Sequence, residues 1–256
     1  MPQKKSVEEL KKIAKELRKD ILVMTTEAGS GHPTSSLSCI DILTCLYFSE
    51  MNFDAKNPGF IDRDRFIMSK GHAVPAQYAC LGKAGFFHRE EIMTLRKINS
   101  RLQGHPDRQK TPGIEVSGGS LGQGLSVGNG MALAGKIDKK NFRVYVLMGD
   151  GEQQEGQIWE AAMSGSNFKL DNVCGIIDLN GIQNDEWVEK EKSIQPIADK
   201  WRAFNWNVIE IDGHNFEQIL SALDKARITK GKPTLIIAKT IKGKGVSFIT
   251  DNPDMH

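Results

Sequence analysis

The stretch Arg143-Val144-Tyr145-Val146-Leu147-Met148-Gly149-Asp150-Gly151 decides the fold. A strand wet on one face alternates apolar with polar residues, whereas Val144 to Leu147 are apolar without a break, as suits a strand covered on both faces of a parallel α/β sheet. The run 143–148 has companions at 173–179, 207–211 and 234–240, separated by helical windows at 121–136, 159–168 and 215–229. Before them lie a first helix, in which Val7, Leu10, Ile13, Leu17, Ile21 and Met24 recur every three or four residues among Lys and Glu, and a second apolar helix near 36–48. An eight-fold barrel needs more strands and no long helical preface. The expected fold is therefore α/β, an open, mostly parallel sheet with helices on both faces, and residues 1–256 are read as a single domain because no repeat, low-complexity tract or linker divides them.

Composition narrows the function. With 34 Lys and Arg against 32 Asp and Glu, the net charge of +2 gives no electrostatic case for nucleic acid or a membrane surface. No stretch approaches the roughly 18–20 apolar residues of a membrane span and no secretory apolar core opens the chain, so the expected location is cytoplasmic. Cys39, Cys45, Cys80 and Cys174 have no metal-ligand spacing and read as small core hydrophobes. The four tryptophans read as core or interface residues. The 25 glycines are an excess, roughly 10% where about 7% is usual.

Open α/β sheets bind ligands outside the carboxyl ends of their strands. The strand ending at Met148 runs into Gly149-Asp150-Gly151-Glu152-Gln153-Gln154-Glu155-Gly156, and the next ends in Asp178-Leu179-Asn180-Gly181-Ile182. If the two strands are neighbours, Asp150 and Asn180 converge with hard oxygen donors. One carboxylate and one amide make a poor all-protein cage but suit Mg²⁺ shared with a diphosphate. Either turn alone is more often a simple loop cap. The run from Gly122 to Gly128 has its third glycine one place late for a dinucleotide fingerprint and follows no clear strand, which argues against NAD.

A Gly-Asp-Gly followed thirty residues later by Asn after an apolar strand resembles the thiamine diphosphate motif, and further blocks resemble the N-terminal part of the transketolases. They are Gly29-Ser30-Gly31-His32-Pro33-Thr34-Ser35, Ser69-Lys70-Gly71-His72-Ala73, Gly104-His105-Pro106, Gly119-Ser120-Leu121-Gly122-Gln123-Gly124 and Lys239-Thr240-Ile241-Lys242-Gly243-Lys244-Gly245. The resemblance implies thiamine diphosphate and Mg²⁺, with Ca²⁺ or Mn²⁺ able to replace it. It makes Asp150, Asn180 and the carbonyl of Ile182 metal ligands. His72 and Lys242 would touch the diphosphate, Gly151 would approach it through its backbone, and Gly119, Ser120, Leu121 and Ser35 would border the rest of the cofactor. His32, His72, His105 and His256 would serve the reacting sugar, His256 also bordering the cofactor, because ketol transfer makes and discharges alkoxides and needs donors near neutral pKa. Glu155 and Glu160 match acids thought to link two cofactor sites, or else are ordinary first-turn helix acids. His214 and His88 read as structural.

The family's activating carboxylate and most sugar-phosphate contacts lie in a following domain. The expectation is thus the N-terminal subunit of a split transketolase of the pentose phosphate pathway, self-associating as α2β2 with a C-terminal subunit. It would move a two-carbon ketol unit between ketose and aldose phosphates. Alternatives are the corresponding half of a deoxyxylulose-phosphate synthase-like or dihydroxyacetone synthase-like enzyme, or a catalytically silent cofactor-binding module. Retention of His32, His72 and His105 argues against the silent module.

Overall fold

The computed structural model describes residues 4–184 and 186–255. Five parallel strands form one sheet, β1 (Arg65–Met68), β2 (Val144–Gly149), β3 (Val173–Leu179), β6 (Asn207–Asp212) and β7 (Thr234–Lys239), in the order β1-β2-β3-β7-β6. A small antiparallel pair, β4 (Ile182–Gln183) and β5 (Glu186–Trp187), follows β3. The doubly covered sheet expected from the apolar runs is present. Alternate residues of each strand point to opposite faces. Tyr145, Leu147, Cys174 and Ile176 join one apolar cluster, while Val144, Val146, Met148 and Ile177 join the other.

Helices α1 (Val7–Ala28), α2 (Pro33–Cys45), α3 (Val74–Ala84) and α8 (Phe216–Ile228) cover the first face. Helices α4 (Gln123–Ile137), α5 (Gly156–Asn167) and α7 (Ile197–Ala203) cover the second, with the short α6 (Val188–Lys192) after the hairpin. In α1, Leu10, Leu17, Ile21 and Met24 are buried as their spacing predicts, a Ser6–Glu9 capping box opens the helix, and Gly29 closes it in the left-handed region. Three helices depart from the sequence reading by more than one residue. The window 121–136 is helical only from Gln123, because Gly122 at φ 84° sits in the left-handed region and caps α4. Helix α5 starts before residue 159, at Gly156. The apolar helix at 36–48 starts at Pro33, where proline suits the first turn, and ends in a π-helical turn over Leu46–Glu50.

The register positions the site. Met68 lies opposite Leu147, Gly149 opposite Asp178, and Leu179 opposite Lys239, so β1, β2, β3 and β7 end nearly level. The residues that follow each strand, Lys70, Asp150, Asn180 and Lys242, therefore emerge at one end of the sheet.

Candidate functional site

A cavity of about 490 Å³ opens at that end, with Asp150, Asn180, His32, His72, His105 and Lys242 in its wall. Ser35, Leu121, Gly151, Ile182 and Glu155 also line it. Gly119 and Ser120 precede Leu121 on the same loop, and Gly119, at φ 143°, lies so close to His105 that a Cβ there would stand 3.2 Å from the ring. Glu160 lies farther out, exposed on α5. His256 falls outside the described residues.

The floor of the cavity is a buried ionic network absent from the sequence reading. Lys70 and Asp178 are 1% and 0% exposed, and the Lys70 ammonium pairs with Asp178 while donating to the Ser35 carbonyl at 3.2 Å. Asp178 also accepts from the hydroxyls of Ser38 and Thr240. Burial opposes charge on both partners, yet for Asp178 the Lys70 ammonium and the two hydroxyls outweigh it and hold the carboxyl below its ordinary range. Burial likewise pulls Lys70 down, but Asp178 outweighs it and raises the ammonium. Removing one partner of such a pair leaves a bare buried charge and costs roughly 3–5 kcal/mol.

Asp150 stands over this floor, 3% exposed, with its two carboxylate oxygens accepting from Gly151 N at 2.8 Å and Gly181 N at 2.6 Å. Burial pushes its carboxyl up to about 6, against the pull of the Gly181 N–H, and Asp178 adds to the rise. The Asn180 amide is oriented from both ends: Nδ2 faces Asp178 and Ser38 at 3.4 Å, and Oδ1 accepts from Ile182 N at 3.1 Å. No cluster of three His, Cys, Asp or Glu side chains suited to a metal exists among the described residues. A cation here would be held by the Asp150 carboxylate, the Asn180 amide oxygen and a backbone carbonyl, and a carboxylate whose burial already disfavours its charge gains most from one. These hard oxygen donors fit Mg²⁺ bound jointly with phosphate oxygens.

Around the rim, the rings of His32 and His72 meet edge to face with centroids 5.2 Å apart. His105 is held below the ordinary imidazole value by burial and then by the Arg96 guanidinium. Lys242, 1% exposed, sits on a loop pinned by Thr240 N to Leu179 O and Gly243 N to Thr34 O, both 3.0 Å. His214 also steadies that loop, which extends its structural reading. Nε2 accepts from Ile241 N at 3.0 Å, so the proton of the neutral ring lies on Nδ1, directed at Asp41 Oδ2 2.8 Å away. Asp41 is gripped in turn by both terminal guanidinium nitrogens of Arg18, at 2.8 and 2.7 Å.

The most consequential residue passed over in the sequence is Glu152. At 2% exposure, its carboxylate accepts from the Ser69 hydroxyl, from Gly122 N at 2.8 Å and from Gly149 N at 2.9 Å. One side chain thereby ties together the loop after β1, the start of α4 and the loop after β2. An acid inside a glycine-rich turn was the available signal, but its partners lie 83 and 30 residues away. The loop carrying His72 and the loop carrying Gly119 also touch: a Cβ on Gly71 would lie 2.9 Å from Gly119 N.

Comparison with known proteins points to one family. Residues 10–256 match the family described as transketolase, thiamine diphosphate binding domain. The chain is 46% identical over 250 residues to an apulose-4-phosphate transketolase subunit of Phocaeicola vulgatus, covering 98% of this chain and 89% of that one. It is 45% identical over 232 residues to a 6-deoxy-6-sulfo-D-fructose transketolase subunit of a Clostridium species, covering 91% and 84%. The transketolase structure from Campylobacter jejuni superposes with a TM-score of 0.93 at 32% identity, over 98% of this chain and 40% of that one. The chain thus spans most of the length of the two subunits and about two fifths of that longer enzyme.

Proposed function

The chain belongs to the transketolase family, and on that premise we propose that it is the cofactor-holding subunit of a split, thiamine diphosphate-dependent transketolase. One observation carries the reading: the register of four parallel strands delivers Asp150, Asn180, His72 and Lys242 to a single cavity floored by the Lys70–Asp178 pair.

In this reading Asp150, Asn180 and the Ile182 carbonyl hold Mg²⁺, with Ca²⁺ or Mn²⁺ as substitutes. His72, Lys242 and the Gly151 backbone receive the diphosphate, since cationic and N–H donors make charge-assisted bonds to phosphate. Ser35, Gly119, Ser120 and Leu121 border the remainder of the cofactor. Bound there, thiamine diphosphate supplies a nucleophilic thiazolium carbon and an electron sink for cleavage of a carbon–carbon bond. His32, His72 and His105 face the sugar oxygens and exchange protons with them. His256 is proposed for the same task on sequence grounds alone, and Glu155 and Glu160 as acids facing a neighbouring protomer. The site is completed by a C-terminal subunit, which brings the activating glutamate and sugar-phosphate contacts, in an α2β2 assembly of the cytoplasm.

The transfer proposed is of a two-carbon ketol unit between ketose and aldose phosphates. The names of the two subunit relatives add apulose 4-phosphate and 6-deoxy-6-sulfofructose to the donors worth testing beside xylulose 5-phosphate. The test pairs calorimetry of thiamine diphosphate and Mg²⁺ on the wild type and Asp150→Ala with a ketol-transfer assay on ribose 5-phosphate, with and without the C-terminal subunit. Expected are Mg²⁺-dependent binding lost in the variant and turnover only with both subunits. Cofactor binding indifferent to Mg²⁺ would overturn the metal assignment, and full turnover by this chain alone would overturn the split site.

A further inference from the structure

At the opposite end of the sheet, where the strands begin, two adjoining cavities of about 580 and 340 Å³ share the side of the loop between α4 and β2. Lys139, Lys140, Asn141, Arg143 and Lys230 belong to both walls. Arg143 is the unusual member. It is only 9% exposed, yet among the described residues it makes no ion pair. Its guanidinium has one hydrogen bond, Nη2 to the Ala226 carbonyl at 3.0 Å, and its buried Nε has no acceptor. Guanidinium groups this far from water are ordinarily paired, because an uncompensated buried charge is costly.

The neighbouring acids are already engaged. Glu50 pairs with Arg227, Asp62 with Lys140 and Asp171 with Lys136, while Asp64 receives the backbone N–H groups of Asn52 and Arg143 at 2.8 Å. Lys139 and Lys230 make no ion pair among the described residues. Six cations, the Arg143 guanidinium among them, against four carboxylates leave the lining a net charge of +2. The fork of Arg donors matches the tetrahedral oxygens of phosphate, and flanking lysines complement its charge.

We infer that this double cavity is a second anion site, separate from the cofactor cavity, that takes a phosphate dianion either as the free ion or as the head of a phosphomonoester. The site does not depend on the ketol-transfer reading, because none of its residues reaches the carboxyl end of the sheet.

The test is a titration of the isotope-labelled full chain with inorganic phosphate at constant ionic strength, in EDTA, followed by backbone amide NMR. Expected are saturable shifts at residues 139–143 and 229–231. The double variant Lys139→Gln/Lys230→Gln changes exposed side chains and should fold with a native-like spectrum, and should weaken these shifts roughly ten-fold. A parallel titration with glycerol 3-phosphate separates the sources: tighter binding than inorganic phosphate identifies a phosphomonoester, equal or weaker binding the free ion. Shifts confined to residues near Asp150, no saturation above a chloride control, or unchanged affinity in the double variant would each overturn the site.

Discussion

Replacing Asp150 by asparagine separates what this carboxylate does for the fold from what it does for the cofactor. Its carboxyl is raised from 3.8 to about 6 by burial. Two units at roughly 1.4 kcal/mol each mean that the metal-free fold loses about 3 kcal/mol once Asp150 ionises. The sign follows from the direction of the shift. A folded value above the unfolded one means that the native chain keeps a proton the unfolded chain releases, so the contribution of Asp150 to stability is greatest below about pH 4 and declines as pH climbs through about 6. Asparagine is neutral throughout and keeps one of the two backbone N–H bonds, losing the other at a cost of about 1–2 kcal/mol. In EDTA, urea denaturation should therefore find Asp150→Asn less stable than wild type by about 1–2 kcal/mol at pH 4, and more stable by about 1–2 kcal/mol at pH 7. The swing between the two curves, about 3 kcal/mol, is the burden of the ionised carboxylate. With Mg²⁺ and thiamine diphosphate added, only the wild type should be stabilised in a saturable way. A stability difference that stays constant from pH 4 to pH 7 refutes the buried-charge argument, and cofactor binding by the asparagine variant refutes the metal role.

Glu152→Ala leaves three buried donors without an acceptor, so at about 1–3 kcal/mol each it should lose about 3–5 kcal/mol in urea denaturation and bind thiamine diphosphate more weakly; a loss under about 1 kcal/mol removes its bridging role. Gly71→Ala sets a methyl group against the Gly119 backbone, which cannot turn aside as a side chain can, and should cost about 1–3 kcal/mol together with cofactor affinity, read by calorimetry. An NMR titration should find His105 protonating below the ordinary imidazole value, and Arg96→Gln should move it part of the way back up; no movement assigns the whole effect to burial.

The strands were legible because each central one carries an apolar run of four or five residues, and β2 and β3 stood out once Val144–Leu147 and the run at 173 were seen together. The short edge strand β1 and the helix α3 were not singled out, since four residues give little periodicity and α3 is buried over nearly its whole surface. Asp150 and Asn180 were found because both follow strands, where position along the chain stands in for position in space. Lys70, Asp178 and Glu152 escaped notice for the converse reason: Lys70 meets Asp178 across 108 residues, and no local pattern records that distance. A hint existed in β3, where an aspartate interrupts an apolar run and so calls for a buried partner. The glycines divide similarly. Gly119 and Gly122 have the left-handed backbone that favours glycine, but Gly124 is small because Ser69 presses against α4, and Gly149 has no protein atom nearer than 3.9 Å to a would-be Cβ.

The triple grip of Glu152 bears on how such sites can be re-engineered. Three loops that share one acceptor do not behave as interchangeable modules: a loop transplanted from a relative arrives with its own backbone path, and any drift of Gly149 or Gly122 withdraws a donor from the same carboxylate that holds Ser69. Recombination between family members that cuts between residues 69 and 122, or between 122 and 149, should therefore yield chimaeras that express but hold the cofactor loosely, whereas exchanging the whole span from Ser69 to Glu152 should carry a self-consistent site with it.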